Sequence, residues 1–256
     1  MRLAMLGPEE EQLYQVLKVI AQAGGAAGSG SLASALRAAG VRVSEATAGR
    51  ILRELDERGY TEKFGFRGRM LTEAGRRYLK ELETKRERAG YSAELLQALQ
   101  AKEKEEIIEV LVARRAIERE TARLAALKAT EREIEELRLC IQVHQEHFEK
   151  GIVDAEDDLR FHRLISEASR NRVLIAASRL VRQDGQMAPI LEFIRRNIGS
   201  GVVQDHRKIF FAIEARDPDA AEGAMVAHIE NVIKDVERYW ELHQEELGGN
   251  ASGRTH

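Results

Sequence analysis

Cysteine is nearly absent: Cys140 is the single one in 256 residues. One thiol cannot form a disulfide within the chain, which excludes a disulfide-built scaffold and points to a reducing compartment. Proline is almost as scarce, with Pro8, Pro189 and Pro218 alone, and aromatic residues make up 5%. So few helix breakers and aromatic rings make a mainly α chain the expected class. No stretch of about 18 uncharged apolar residues occurs, so no membrane-spanning helix is expected. The opening "MRLAMLGPEEEQ" turns acidic too early for a secretory signal, and a cytoplasmic protein is the expectation.

What is present is charge, at 32%, beside enough apolar residues, 43%, to bury a core. The net charge of −3 argues for no partner by itself, but its distribution is uneven. Residues 37–77 hold ten Lys/Arg against six Asp/Glu, a local +4, so the remainder carries −7. A basic island in an acidic chain is a weak pointer to nucleic acid. No internal repeat is visible.

Two textures divide the chain. Residues 1–80 read as short helices with Gly-rich turns. "EEEQLYQVLKVIAQAG" spaces Leu13, Val16, Leu17 and Ile20 for one helix face and stops at Gly24-Gly25. "GSGSLASALRAAG" starts at Ser29 or Ser31 and ends at Gly40. A third helix over 44–58 has Ser44 as N-cap, Ile51, Leu52 and Leu55 as buried stripe, and Gly59 just past its end. "YTEKFGFRGRMLTEAG" then alternates, turns at Gly65 to Gly68 and returns, and Thr72 caps a further helix.

Three helices and a hairpin make a winged helix-turn-helix, whose third helix enters the major groove while the wing touches backbone or minor groove. The face opposite Ile51 and Leu55 is expected to carry Glu45, Thr47, Ala48, Gly49 and Arg50, with Arg53 further on. Ser44, Thr47, Arg50, Arg53, Arg67 and Arg69 are therefore the candidate DNA contacts, the last two from the wing. The plainer alternative is a winged helix serving protein contacts, its arginines on a solvated face. "SEATAGRILRELDERGY…RGRMLTEAG" resembles the winged-helix domains of NrpR-type and ribonuclease-R-associated regulators over roughly 70 residues.

Residues 81–102 read as a charged helical linker with one break at Ala89-Gly90, and 103–247 as an antiparallel helical bundle. Residues 248–256 are expected to be a disordered tail. Within the bundle, "DLRFH" places Asp158 and His162 one turn apart on one helix face. That helix is expected to begin near Asp154 and to break at "SRN", where Asn171 caps a long helix over 172–197 that Pro189 bends or interrupts. Asp217-Pro218 is a helix start, so a helix ends near Arg216 and returns antiparallel. His206 lies eleven residues before Asp217 and His228 eleven after it, each about 16 Å from the turn. Two imidazoles at one height, with an Asp/His pair on a third helix, suit an in-bundle divalent first-row ion such as zinc, nickel or manganese. The alternative is four unrelated polar residues on solvated faces.

Arg114 falls on a stripe with Ile107, Leu111, Glu118 and Thr121. A cation there is costly unless paired. Either Glu118, at i+4, satisfies it, or it pairs with the carboxylate of a bound effector. His144 and His147, near Cys140, hint at a second metal site, but nothing completes the set.

"EVLVARRAIERETARLAALKAT", "DLRFHRLISEASRN" and "DHRKIFFAIEARDPDAAEGAMVAHI" resemble the three hallmark segments of the FCD domain. That is the ligand-sensing domain of the FadR-like branch of GntR-family transcription regulators. The resemblance implies a homodimeric regulator of operator DNA, in which an Asp and three His bind a metal beneath a pocket for a small organic acid. The matching positions are Asp158, His162, His206 and His228. The usual GntR recognition pattern "SR-x-x-V-R-E-A-L" is absent and "SEATAGRILREL" stands in its place, so the operator rules of that family are not implied. Two other readings remain: a regulator whose metal is structural and whose effector binds elsewhere, and a metal-dependent enzyme.

Overall fold

The computed structural model describes residues 6–152, 155–182, 187–198 and 202–249. The side chains of 187–189, 202 and 244–249 are outside that description. The chain divides into two compact units, 1–96 and 97–256.

In the first unit, α1 (Pro8–Gln22), α2 (Ser29–Ala38) and α3 (Glu45–Glu57) pack around one apolar cluster. Their contributions are the helical-spaced sets Leu13, Val16, Leu17 and Ile20, then Leu32, Ala33 and Leu36, then Ala48, Ile51, Leu52 and Leu55. Ser44 caps α3 by accepting from the Thr47 N–H at 3.1 Å, and Gly59, at φ +72°, takes the left-handed position that ends it. An antiparallel hairpin follows, β1 (Thr61–Lys63) with β2 (Arg69–Leu71), Thr61 facing Leu71. Ala27 bridges to Arg69 from the other side, with 2.9 Å bonds in both directions. Gly68 is obligatory here. Its φ is +123°, and a Cβ would lie 2.4 Å from the Ala27 carbonyl.

Then α4 (Glu73–Ala98) begins with Thr72 Oγ1 accepting from Gly75 N–H at 3.0 Å. The expected break at Ala89-Gly90 is not there: the helix runs through Gly90. One glycine costs a helix only about 1 kcal/mol, and the flanking Arg, Glu, Ala and Leu residues favour it.

The second unit is all helical among the described residues: α5 (Lys104–Lys128), α6 (Glu131–Glu149), α7 (Ala155–Ala168), α8 (Arg172–Arg182), α9 (Met187–Ile198), α10 (Val202–Glu214) and α11 (Pro218–Gly249). Helix α5 packs along α11 and also against α7 and α8, α6 against α7 and α10, and α9 against α11. The core includes Ile107, Leu111, Leu137, Phe161, Ile165, Ile209, Ile213, Met225, Ile229 and Val236. Thr130 and Glu133 form a reciprocal cap at the start of α6. Asn171 Oδ1 accepts from the N–H groups of Val173 and Leu174 at 3.1 and 3.3 Å, starting α8.

Of the expected helix over 172–197, α8 is described to Arg182 and α9 from Met187, and residues 183–186 lie outside the described residues. Pro189 sits in the first turn of α9, where its missing N–H costs nothing. Asp154, the expected start of α7, and the tail residues 250–256 lie outside the described residues.

The α10–α11 hairpin turns at Arg216, φ +58°. Asp217 Oδ1 accepts from Ala220 N–H at 2.9 Å, and Pro218 opens α11. This turn fixes the register that matters below.

Candidate metal centre and nucleic-acid interface

Helix α7 supplies Asp158 and His162, α10 supplies His206 and α11 supplies His228. All four are buried, and one donor atom from each lies within 4.8 Å of all the others. The His206 and His228 rings are 4.7 Å apart between centroids, as the equal count from Asp217 requires. His162 Nε2 and His206 Nε2 stand 3.3 Å apart. Two nitrogens each about 2.0–2.1 Å from one tetrahedral ion would be separated by about that distance. Asp158 Oδ1 lies 3.5 Å from His206 Nε2 and 3.9 Å from His162 Nε2. Phe161 stacks on His206 at 4.5 Å and closes one side with an apolar ring.

Burial pushes the imidazoles toward their neutral, ligating form. For His162, burial and then Arg182 bring the value down to about 4, against the pull of Glu118. Burial and the neighbouring rings hold His206 and His228 well below the ordinary histidine range. Burial alone would raise the Asp158 carboxyl, but Arg195, His162 and Arg182 hold it well below the usual carboxylate range. Among the described residues, both ring nitrogens of His228 are buried without a hydrogen-bond partner. A polar atom so placed is costly, and a metal ion would satisfy one of the two. Three neutral imidazoles and one carboxylate thus fit a divalent first-row ion.

Around the four donors lies a second layer that the sequence only partly disclosed. Arg114 Nε donates to Glu118 Oε1 at 2.9 Å, the i+4 pairing expected, yet Arg114 Nη2 is buried without a partner. Glu118 Oε2 lies 2.8 Å from His162 Nδ1, leaving Nε2 to face the centre. Arg182 forks onto Glu118 at 2.9 and 2.5 Å and reaches Asp158 Oδ2 at 2.9 Å. Arg195 Nη1 donates to Asp158 Oδ1 at 3.1 Å.

His144 and His147 do not converge on a second centre. His144 Nδ1 lies 3.3 Å from His206 Nδ1, and His147 Nδ1 lies 2.6 Å from Asp157 Oδ2. Burial pushes the Cys140 thiol up to about 11, which leaves it a core residue rather than a thiolate.

In the winged helix, Arg50 and Arg53 are exposed on α3 and Arg67 is exposed in the hairpin turn. Arg50 Nη1 lies 3.7 Å from Glu54 across a solvent-facing turn. Two expectations shift. Ala48 is fully buried against the helix core, because it sits three and four residues before Ile51 and Leu52 on their own face. Arg69 Nε donates to Asp56 Oδ2 at 2.7 Å while Thr61 Oγ1 donates to Oδ1 of the same carboxylate, so Arg69 braces the hairpin against α3. Ser44 and Thr47 serve the cap, their hydroxyls 2.8 Å apart.

Comparison with known proteins bears on the family. Residues 109–231 match the FCD domain and residues 14–82 the ribonuclease R winged-helix domain. The matches support the FCD-domain, FadR-like branch of the GntR-family regulators. Among curated relatives, the putative L-lactate dehydrogenase operon regulatory protein of Escherichia coli (strain K12) is 31% identical over 56% of this chain and 57% of its own length. The HTH-type transcriptional regulator LutR of Bacillus subtilis (strain 168) is 28% identical over 64% of this chain and 75% of its own. The chain spans about half the length of most of the curated relatives it matches. Among solved structures, a GntR of Streptococcus agalactiae is 20% identical, covers 88% of this chain and 99% of its own, and has a TM-score of 0.45.

All four donors and Arg114 lie inside the FCD match. So do Arg182 and Arg195, which sequence reasoning missed. Nothing in their local spacing signals them, because each reaches its partner from a different helix.

Proposed function

We propose that this GntR/FCD chain is a metal-dependent, acid-responsive regulator of transcription. The winged helix binds operator DNA through α3 and the hairpin, with Arg50, Arg53 and Arg67 as its exposed cations. The bundle holds zinc, nickel or manganese through Asp158, His162, His206 and His228. The bound ion supplies a Lewis-acidic point for one oxygen of a small organic acid. The chain's own residues do the rest. Glu118 holds the His162 ring by its outer nitrogen, and Arg182 fixes the carboxylates of Glu118 and Asp158 against each other. Arg114 and Arg195 present guanidinium donors to the acid's oxygens. The protein acts as a homodimer, and acid binding reaches the winged helix through residues 81–102. The observation that carries this reading is the convergence of four buried donors from three helices beside under-paired arginines.

The residues suit sensing better than catalysis. The two carboxylates at the centre, Asp158 and Glu118, are already paired with arginines, so neither is free as a general base.

The test uses the full chain in zinc-loaded and chelator-stripped forms, with a duplex recovered by selection from random DNA. A panel of small carboxylates is titrated while DNA affinity is read by fluorescence anisotropy. An active acid should change operator affinity in the loaded form alone, since a ligand shifts two states only by its differential affinity for them. An equal change in both forms would make the metal structural and place the effector elsewhere.

A further inference from the structure

Among the described residues, the cations around the centre outnumber the anions. Arg114, Arg182 and Arg195 form one contiguous network with Glu118 and Asp158, and the three imidazoles adjoin it. The other buried acids nearby, among the described residues, are engaged elsewhere. Asp157 pairs with His147, while Asp205 accepts from Lys208 Nζ at 3.0 Å and Asn231 Nδ2 at 2.7 Å. Three arginines against two carboxylates, with neutral imidazoles, leave the network at +1. A divalent ion raises it to +3. Buried charge of one sign is stable only when countered.

The surplus has an address. Arg195 Nη1 touches Asp158 Oδ1, the oxygen that also lies 3.5 Å from His206 Nε2. The Arg195 guanidinium therefore stands beside the metal donors. Among the described residues, its Nε and Nη2 are buried without partners, as is Arg114 Nη2. A guanidinium edge with two unpaired N–H groups matches two oxygens of an acid group.

We propose that the acid bound at this centre is a small dianion, one acid group directed to the metal donors and the other to the Arg195 guanidinium with Arg114 behind it. This rests on the effector reading above and narrows it. A monocarboxylate would leave the loaded network at +2 and would have one acid group to divide between the metal side and the arginine side. A dianion returns the network to the +1 it carries without metal and occupies both sides. A dicarboxylate and a phosphate monoester share this chemistry, and the probes separate them.

The experiment uses the zinc-loaded full chain and isothermal titration. Succinate and L-malate are the dicarboxylates, glycerol 3-phosphate is the phosphate source, and succinamate and L-lactate are the monoanions. Succinate differs from succinamate by one carboxylate in place of an amide. The better dianion should bind roughly tenfold or more tightly than the monoanions, the worth of one hydrogen bond to a charged group. In Arg195→Gln, read at matched zinc occupancy, the preference of succinate over succinamate should collapse. Should that variant fail to fold, Arg195→Lys keeps the charge and loses the fork, and its preference should fall part-way. Preference for glycerol 3-phosphate alone would support the dianion and name phosphate as its source. Monoanions binding as tightly as dianions would overturn the inference and leave the effector reading standing. An Arg195→Gln chain that keeps the full preference would overturn the role of Arg195. Binding of none of these acids would remove the effector reading and the dianion together.

Discussion

Glu118 is the residue on which the buried network turns, and Glu118→Gln tests it. The carboxylate is about 1% exposed and its two oxygens serve three cationic or polar partners. Oε1 accepts from Arg114 Nε and Arg182 Nε, each at 2.9 Å. Oε2 accepts from Arg182 Nη2 at 2.5 Å and lies 2.8 Å from His162 Nδ1. Burial alone would raise its carboxyl, but Arg182 and Arg114 hold it well below the usual range, so the ionised form is the one built into the fold. Glutamine keeps the shape and one acceptor. It removes the charge and turns an –NH₂ group toward the Arg182 and His162 donors. Breaking a buried pair from one side costs about 3–5 kcal/mol, because the remaining charge stays buried. Trp240 is the sole tryptophan and packs against the bundle core, so its fluorescence reports the second unit. At about 2 kcal/mol per molar urea, the transition should move down by roughly 1.5–2.5 M. An exposed pair gives the control: Glu136→Gln, facing Arg132 in solvent, should barely move it. A Glu118→Gln shift as small as the control's would show that the arginines are solvated or paired otherwise, and the charge argument would go with it.

Three further outcomes follow from the same geometry. Protein purified without chelator should carry about one divalent ion per chain by elemental analysis, and His206→Ala with His228→Ala should carry none; stoichiometric metal in that double variant would remove the four-donor assignment. Arg50→Ala should weaken operator binding by about 1–3 kcal/mol if it reads a base, and Arg67→Ala should lower the salt dependence of binding; unchanged salt dependence would take the hairpin out of the interface. Chelator-treated protein should lose stability as pH falls from 7 to 5. The His162 value is depressed in the fold, so the unfolded chain binds more protons there and stability is complete only above the ordinary histidine range. His162 alone should cost about 2 kcal/mol over that interval, and a melting temperature that rises toward pH 5 would contradict neutral imidazoles.

What the sequence disclosed about the fold came from local chemistry. Ser44, Gly59, Thr72, Asn171 and Asp217 mark helix ends by bonds a residue makes with its near neighbours, and all five stand where spacing put them. Ala48 went astray because a small residue reads equally well as groove-facing or core-facing; only the phase against Ile51 and Leu52 separates the two. Gly90 was given too much weight as a breaker, for it costs little amid strong helix formers.

The candidate centre divides along the same physical line. A helix is a ruler with a fixed rise, so two histidines counted equally from one turn arrive at one height whatever else the bundle does. Asp158 and His162 share a face for the same reason, as do Arg114 and Glu118. Distance along a helix is thus legible. Rotation of one helix against a third is set by packing over the whole core, and a long side chain amplifies any uncertainty in it. Arg182 reaches α5 and α7 from the end of α8, and Arg195 reaches α7 from α9. Neither is near its partner in sequence, and neither breaks a pattern in its own helix. Their consequence is nevertheless the larger one. The four donors say that an ion can be held; the arginines give each oxygen of Asp158 a guanidinium partner. On the proposed reading, an acid that took over the guanidinium side would free Asp158 for the ion, and metal and acid binding would reinforce each other through one carboxylate.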